Sequence, residues 1–316
     1  MLYFVVNPAA KTGKGLQRWH LVKAYLISHN ISYKAYCTTR KVSASMLIRR
    51  ILDSTEDKIR IFVLGGDGTI NEALQSIRKE DTDRLCLGYL PTGSSNDLAR
   101  SLQYSKDIYS NLDTLINSDN IHPVDIGLVK YNNTSVPGYT KRYFIVSAGI
   151  GFDACVCHEV AHSKLKKWLN MIKLGKFTYV AICIKQLLTL STAYCRLTID
   201  EDRHITLKNC YYLALMNHCY QGGGIKFSPS AVNDDGLLNI SYAADISKAG
   251  ILTTLPLAFS GRHIGKKGIG DDKCTHIHIE FDSPLWVHTD GEVVTKSSNL
   301  DIYCLNRHIN FILPEE

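Results

Sequence analysis

The chain has 316 residues, 45% of them hydrophobic and 21% charged, with a formal net charge of +6. That is a globular composition long enough for two cored domains, and it excludes collagen, coiled coil and disorder. No apolar run approaches the roughly 20 residues that span a bilayer. The start, MLYFVVNPAA, lacks the basic leader of a secretory signal, and so mild a positive excess points to no nucleic-acid partner.

Ten cysteines are scattered along the chain, many inside apolar runs, as with Cys86 and Cys210. They read as reduced core residues of a cytosolic protein. From residue 1 to about 120, short apolar runs alternate with amphipathic stretches: LYFVVN, a helix near 15–28, YKAYC, a helix near 43–52, IRIFVL, TINEALQSIRK, LCLGYL and a helix from about Asn96. Strands separated by helical patterns of this length predict crossover units and a parallel sheet, hence an α/β domain over 1–121.

Beyond about Asp119 the texture changes to PVDIGLVKY, RYFIVSAGIG, AYCRLTID, CYYLALMNH, LLNISYA and HIHIEFD, punctuated by turn signals. This predicts a mainly antiparallel β domain over 122–305, with helical insertions near 158–190 and 247–259. HINFIL, within 306–316, reads as a last strand that packs back on one of the two domains, the N-terminal one being the expectation.

The strongest local signal is IRIFVLGGDGTINEAL. Gly65, Gly66, Asp67, Gly68 and Thr69 stand between a buried strand and a helix, where glycines let backbone amides approach an anion and the helix dipole favours it. A phosphate-binding turn is the natural reading, and a plain capped turn is its alternative. LPTGSSNDLAR follows the next strand with Gly93, Ser94, Ser95, Asn96 and Asp97. In a parallel sheet both loops emerge at the carboxyl edge and can share one nucleotide. NPAAKTGKG lacks the Gly-Lys-Ser/Thr ending of a Walker A loop.

Other stretches carry two readings. Thr289–Glu292 joins two apolar runs and is equally a hairpin turn. Asp235 stands in a segment that resembles a tight turn, and Asp125 suits a strand-end cap. HEVAH at 158–162 fits the zinc-protease pattern, though no third ligand stands at a familiar spacing, which keeps zinc hydrolysis a minor alternative. Gly149–Ala154 meets the loose dinucleotide fingerprint but more naturally marks a turn. Lysines from Lys164 to Lys185, with Trp168, Phe177 and Tyr179, suit either a basic helix on anionic lipid or a solvated face.

Asn7-Pro8 after the first strand, GGDGTINEAL at 65–74, GSSNDLAR at 93–100 and DGE at 290–292 occur in the order of the diacylglycerol kinase catalytic-domain family. The chain resembles the small bacterial lipid kinases of that family over essentially its whole length. Its second loop has Ser94 where relatives often have Thr, which retains the hydroxyl.

The resemblance implies a doubly wound, NAD-kinase/phosphofructokinase-like α/β domain followed by a β-sandwich with helical insertions. It also implies an ATP- and Mg2+-dependent kinase acting on a lipid hydroxyl, diacylglycerol-like or related, at the inner membrane face. ATP would be held by Asn7, by Gly65, Gly66, Asp67, Gly68, Thr69, Ile70 and Asn71, and by Thr38 (or its neighbour Thr39), Ser94 and Asn96. Asp67 and Asp125 would lie nearest the catalytic Mg2+, Glu292 would accept the lipid proton, and Asp290 would supply charge and position. Val232, Asp235 and Leu237 match a structural Mg2+ loop. A soluble NAD-kinase-like enzyme is the runner-up, and a non-catalytic nucleotide-binding module the third class. The sequence leaves a homodimer open.

Overall fold

The computed structural model describes residues 1–105, 107–134, 136, 139–162 and 175–313. Its first part runs β1 (Leu2–Val6), α1 (Ala10–Ser28), β2 (Tyr33–Cys37), α2 (Ala44–Leu52), β3 (Ile59–Gly65), α3 (Asp67–Leu74) and β4 (Leu85–Pro91). β1 pairs with β2 and with β3, and β3 with β4, all in parallel. The unbroken apolar runs Phe4–Val6 and Ile61–Leu64 suit strands covered on both faces. In α2, Leu47, Ile48, Ile51 and Leu52 form the buried stripe, and the Ser43 hydroxyl caps the helix by accepting from the Met46 amide.

β1 has β2 on one side and β3 on the other, so the winding reverses at β1. Open α/β sheets take their ligands in the crevice beyond such a reversal. Asn7 follows β1 and Gly66 follows β3 at that edge.

The chain continues through α4 (Asp97–Ser101), α5 (Ile108–Asn117), β5 (Ile121–Tyr131), β6 (Lys141–Phe144), β7 (Ser147–Gly151), α6 (Phe152–His162), α7 (Gly175–Thr189), β8 (Ala193–Ile199), β9 (Arg203–Cys210) and β10 (Tyr212–Met216). Then follow the two-residue strands β11 (Tyr220–Gln221) and β12 (Ile225–Lys226), β13 (Leu238–Ala243), α8 (Lys248–Ala258), β14 (Ile269–Cys274), β15 (His276–Thr289) and β16 (Glu292–Ile312). The later strands pair antiparallel, with β7 between β10 and β15.

β16 ties the two parts together. Its 21 residues pair with β15 and β5, and Asn310 and Phe311 then run parallel to Cys86 and Leu87 of β4. Ile309, Phe311 and Ile312 thereby join the core containing Phe4 and Phe62, whereas Ile302 and Leu300 lie in a second core with Ile150, Leu213 and Ile240.

Several elements differ from the sequence reading. The helix expected through TINEALQSIRK stops at Leu74, and RYFIVSAGIG breaks at Ile145–Val146, where backbone amides turn to a carboxylate described below. The first helical insertion starts at Phe152. Lys164, Lys166, Lys167, Trp168 and Lys173 lie outside the described residues, as do the side chains of Lys176, Phe177 and Tyr179.

Candidate active site

Two glycine loops meet at the carboxyl edge. A side chain on Gly93 would come within 2.7 Å of the Gly66 Cα, and one on Gly66 within 3.0 Å of the Gly93 Cα, so the loops pack backbone to backbone. Gly65 is equally constrained, because Thr69 folds back to within 2.4 Å of any Cβ there. The Thr69 hydroxyl accepts from Asn7 Nδ2 at 3.1 Å, which joins the first strand's end to the first turn of α3. That turn presents a helix N-terminus with no side-chain cap, the arrangement that favours a phosphate.

Asn96 adopts the left-handed conformation (φ 50°), and its Oδ1 is buried with no partner among the described residues, as is Thr92 Oγ1. Buried acceptors in a loop that touches the phosphate turn fit the donors of a nucleotide. Ser94 is exposed on the same loop. Thr38 follows β2 beside β1, its amide donating to the Val6 carbonyl at 2.8 Å. The Thr39 hydroxyl instead accepts the Lys41 and Val42 amides of its own turn.

Acidic groups line this edge. Asp67 accepts from the Asp97 amide at 3.0 Å and the Tyr89 hydroxyl at 3.2 Å, and burial pushes its pKa up to about 6. Asp97 is raised too, chiefly by desolvation, with Arg100 at 2.7 Å and the Gly223 amide at 2.8 Å opposing the rise. Carboxylates held this way gain from a nearby cation, and hard oxygen donors suit Mg2+.

The β15–β16 connection is a two-residue turn in which Asp290 (φ 50°) and Gly291 (φ 86°) are both left-handed, and Thr289 pairs with Glu292 across it. The hairpin reading of this segment and its site reading are therefore compatible. Asp290 accepts four hydrogen bonds, from Asn71 Nδ2 (2.8 Å) and from the amides of Ile145 (2.9 Å), Val146 (2.8 Å) and Ser147 (2.9 Å). Desolvation nevertheless raises its pKa. Glu292 is exposed and reaches the phosphate turn: its Oε1 lies 3.3 Å from where a Gly68 Cβ would stand.

Two residues expected at the nucleotide, and Asp125 expected near the catalytic Mg2+, sit differently. Asn71 is fully buried, with its amide donating to Asp290 and the Tyr143 carbonyl and accepting from Arg142 at 2.6 Å. It braces α3 against the second part and has no donor facing the crevice. The Ile70 side chain belongs to the core, so only its backbone borders the turn. Asp125 joins the 229–238 loop, accepting the Gly236 amide at 2.7 Å and the Arg307 amide at 2.6 Å.

In that loop Asp235 Oδ1 accepts the Leu237 amide at 3.0 Å, and Oδ2 pairs with Lys273 Nζ at 2.8 Å. Val232 is exposed. The ammonium supplies the counter-charge a divalent ion would bring, so an ion at Asp235 would have to displace Lys273. In HEVAH, Glu159 binds Lys185 at 2.6 Å and also Gln186, while His158 stacks on Trp286. Among the described residues no group of three His, Cys, Asp or Glu side chains could hold a metal.

Sequence reasoning assigned no role to Gly222–Gly224. Yet Gly223 binds Asp97, and Arg100 lies 2.7 Å from where a Gly224 Cβ would be, so this loop closes over the second glycine loop. Tyr89 was also missed, because it reads as one more apolar residue of β4.

The family model for the diacylglycerol kinase catalytic domain matches residues 1–129, and that for the YegS C-terminal NAD kinase beta sandwich-like domain matches residues 145–304. A diacylglycerol kinase of Staphylococcus haemolyticus (strain JCSC1435) is 30% identical over 316 residues, covering 99% of this chain and 88% of its own. One from Staphylococcus aureus (strain Newman) is 29% identical over 314 residues, covering 99% and 92%. A solved chain from Bacillus anthracis str. Sterne superposes with a TM-score of 0.75 at 24% identity, covering 99% of this chain and 97% of its own, a likeness of fold.

Proposed function

This chain belongs to the diacylglycerol kinase family, and from that premise we propose how its own residues transfer a phosphoryl group from ATP to a lipid hydroxyl. It is a lipid kinase; the first acceptor to test is diacylglycerol, the substrate in the name of its relatives. The observation that carries the proposal is the approach of Glu292 to Gly68, which sets an exposed carboxylate opposite the turn suited to phosphates.

The β- and γ-phosphates lie on the first turn of α3, between Gly66 and Thr69, with the Gly93–Asn96 loop against the nucleoside side. The lipid oxygen attacks the γ-phosphorus from the Glu292 side, its proton passes to Glu292, and the bond to the β-phosphate oxygen breaks in line to leave ADP. Mg2+, when bound, would offset the charge on the phosphate oxygens. Asp67 is the carboxylate placed to hold it, steadied by Tyr89 and the Asp97 amide. Asp290 keeps the hairpin against the start of β7 and so positions its neighbour Glu292. Residues 1–121 thus hold nucleotide and 122–305 the lipid, with the strand end at Ile309–Ile312 returning to the first part.

A peripheral lipid-surface reading is supported by α8 and the segment after it. Leu252, Leu255 and Phe259 are exposed there, and Lys248, Arg262, Lys266 and Lys267 stand in a stretch from Ser247 to Gly270 without one acidic residue. No helix among the described residues is long and apolar enough to cross a membrane.

The test is incubation with labelled ATP and Mg2+, offering diacylglycerol in mixed micelles or NAD in solution. Labelled phosphatidic acid is expected. Phosphorylated NAD with no lipid product would establish the soluble alternative instead.

A further inference from the structure

We infer that His288, locked by Asp153, is a positioning residue that fixes the turn presenting Glu292 to the transferring phosphate. The inference rests on the reading of Glu292 as proton acceptor. His288 and Asp153 are both buried, and neither takes a part in the mechanism above.

The hydrogen bonds assign the imidazole's two nitrogens opposite duties. Nδ1 lies 3.2 Å from the Gly291 amide and must accept from it. The ring proton therefore sits on Nε2 and is donated to Asp153 Oδ2 at 3.0 Å. Gln221 Nε2 lies 3.2 Å from His288 Nε2 as well, and with that ring nitrogen protonated it donates instead to the same Asp153 oxygen at 3.3 Å, while Asp153 Oδ1 takes the Ala154 amide at 2.8 Å. Asp153 thus opens α6 with its carboxylate filled, and it holds the ring in the tautomer that can grip the turn.

Gly149, opposite His288 in the β7–β15 pairing, makes room for this pair. A Cβ there would fall 1.8 Å from Asp153 Oδ2 and 2.4 Å from His288 Nε2. The residue gripped, Gly291, immediately precedes Glu292. The turn is thus pinned twice, through the Gly291 amide by His288 and through the Asp290 carboxylate by Ile145–Ser147. Both of its residues have left-handed φ, so releasing the amide frees the angle at which the Glu292 side chain leaves the strand.

Two substitutions separate the duties of the ring. His288→Asn places an amide oxygen near the position of Nδ1 and keeps an acceptor for Gly291 while losing the reach to Asp153. His288→Gln reaches Asp153 but has no acceptor near Nδ1. Because a displacement of about 1 Å can cost about 10²-fold, kcat is expected to fall about 10- to 100-fold in His288→Gln. His288→Asn should stay within about 5-fold of wild type by the same reasoning, and KM for ATP should be unchanged in both. A packing role alone predicts the reverse order, since Asn leaves the larger void.

Equal kcat values in the two variants, or a lower value for His288→Asn, overturn the inference. Asp153→Asn is the second test: it relaxes the tautomer lock and should lower kcat with KM for ATP intact, whereas wild-type kcat there also overturns the inference. Glu292→Gln in the same assay keeps the two claims apart. Full turnover in that variant removes the proton-acceptor reading and this inference with it. Lost turnover there, with wild-type kcat in both His288 variants, overturns the positioning role alone.

Discussion

Replacing Asp67 by Asn should make the protein more stable and less active. The carboxyl is raised from 3.8 to about 6, with burial the largest cause. A carboxyl whose folded-state pKa lies above its unfolded value favours the neutral form in the fold, so its ionisation destabilises the protein progressively from about pH 4 to pH 6 and by a constant amount above. Two units correspond to a ceiling of about 3 kcal/mol. Asp67 is only partly buried by surface area, so about 1–2 kcal/mol is the working figure once solvent screening is allowed for. Asn can keep both contacts, its oxygen on the Asp97 amide and its NH2 toward the Tyr89 hydroxyl. Thermal melts of Asp67→Asn and wild type should therefore show a gain of a few degrees at pH 7.5 that vanishes near pH 4. Turnover should fall about 10²- to 10³-fold, as when one transition-state charge contact is lost. An equal shift at both pH values, or a loss of stability at pH 7.5, would refute the electrostatic argument; unchanged turnover would remove Asp67 from the site.

Gly93→Ala brings a methyl to 2.7 Å from the Gly66 Cα and 2.6 Å from Asn96 Oδ1, so it should weaken ATP binding in titration calorimetry far more than it lowers the melting temperature; the opposite ranking would make the contact merely structural. At the 229–238 loop, Lys273 and a divalent ion compete for Asp235. Lys273→Met should therefore enlarge the melting shift produced by Mg2+ and Asp235→Asn should abolish it, through binding linkage. Equal shifts in wild type and both variants would show that no ion binds at Asp235.

The α/β part was legible in sequence because its signals are local. The apolar runs of β1, β3 and β4, and the glycines that end two of the loops, each announce themselves within a few residues. The TDGE turn was legible as a turn, and its left-handed φ values at Asp290 and Gly291 bear out that chemistry. Contacts between distant residues were not legible: Asp290 meets Asn71 219 positions away, His288 meets Asp153 135 positions away, and Gly223 meets Asp97 126 positions away. Motif membership likewise does not say which way a side chain points. Asn71 belongs to the GGDGTINEAL segment, yet its amide faces Tyr143 and Asp290 because α3 turns that side toward β6.

The most direct test of the central claim is single-turnover phosphoryl transfer to diacylglycerol by Glu292→Gln in mixed micelles, with ATP affinity measured alongside. The variant keeps the side chain's size beside Gly68 and removes only its basicity, so ATP should bind as in wild type while the transfer rate falls about 10²- to 10⁴-fold, the usual cost of a lost general base. Transfer at near the wild-type rate would contradict the account and return Thr289–Glu292 to the role of a hairpin turn.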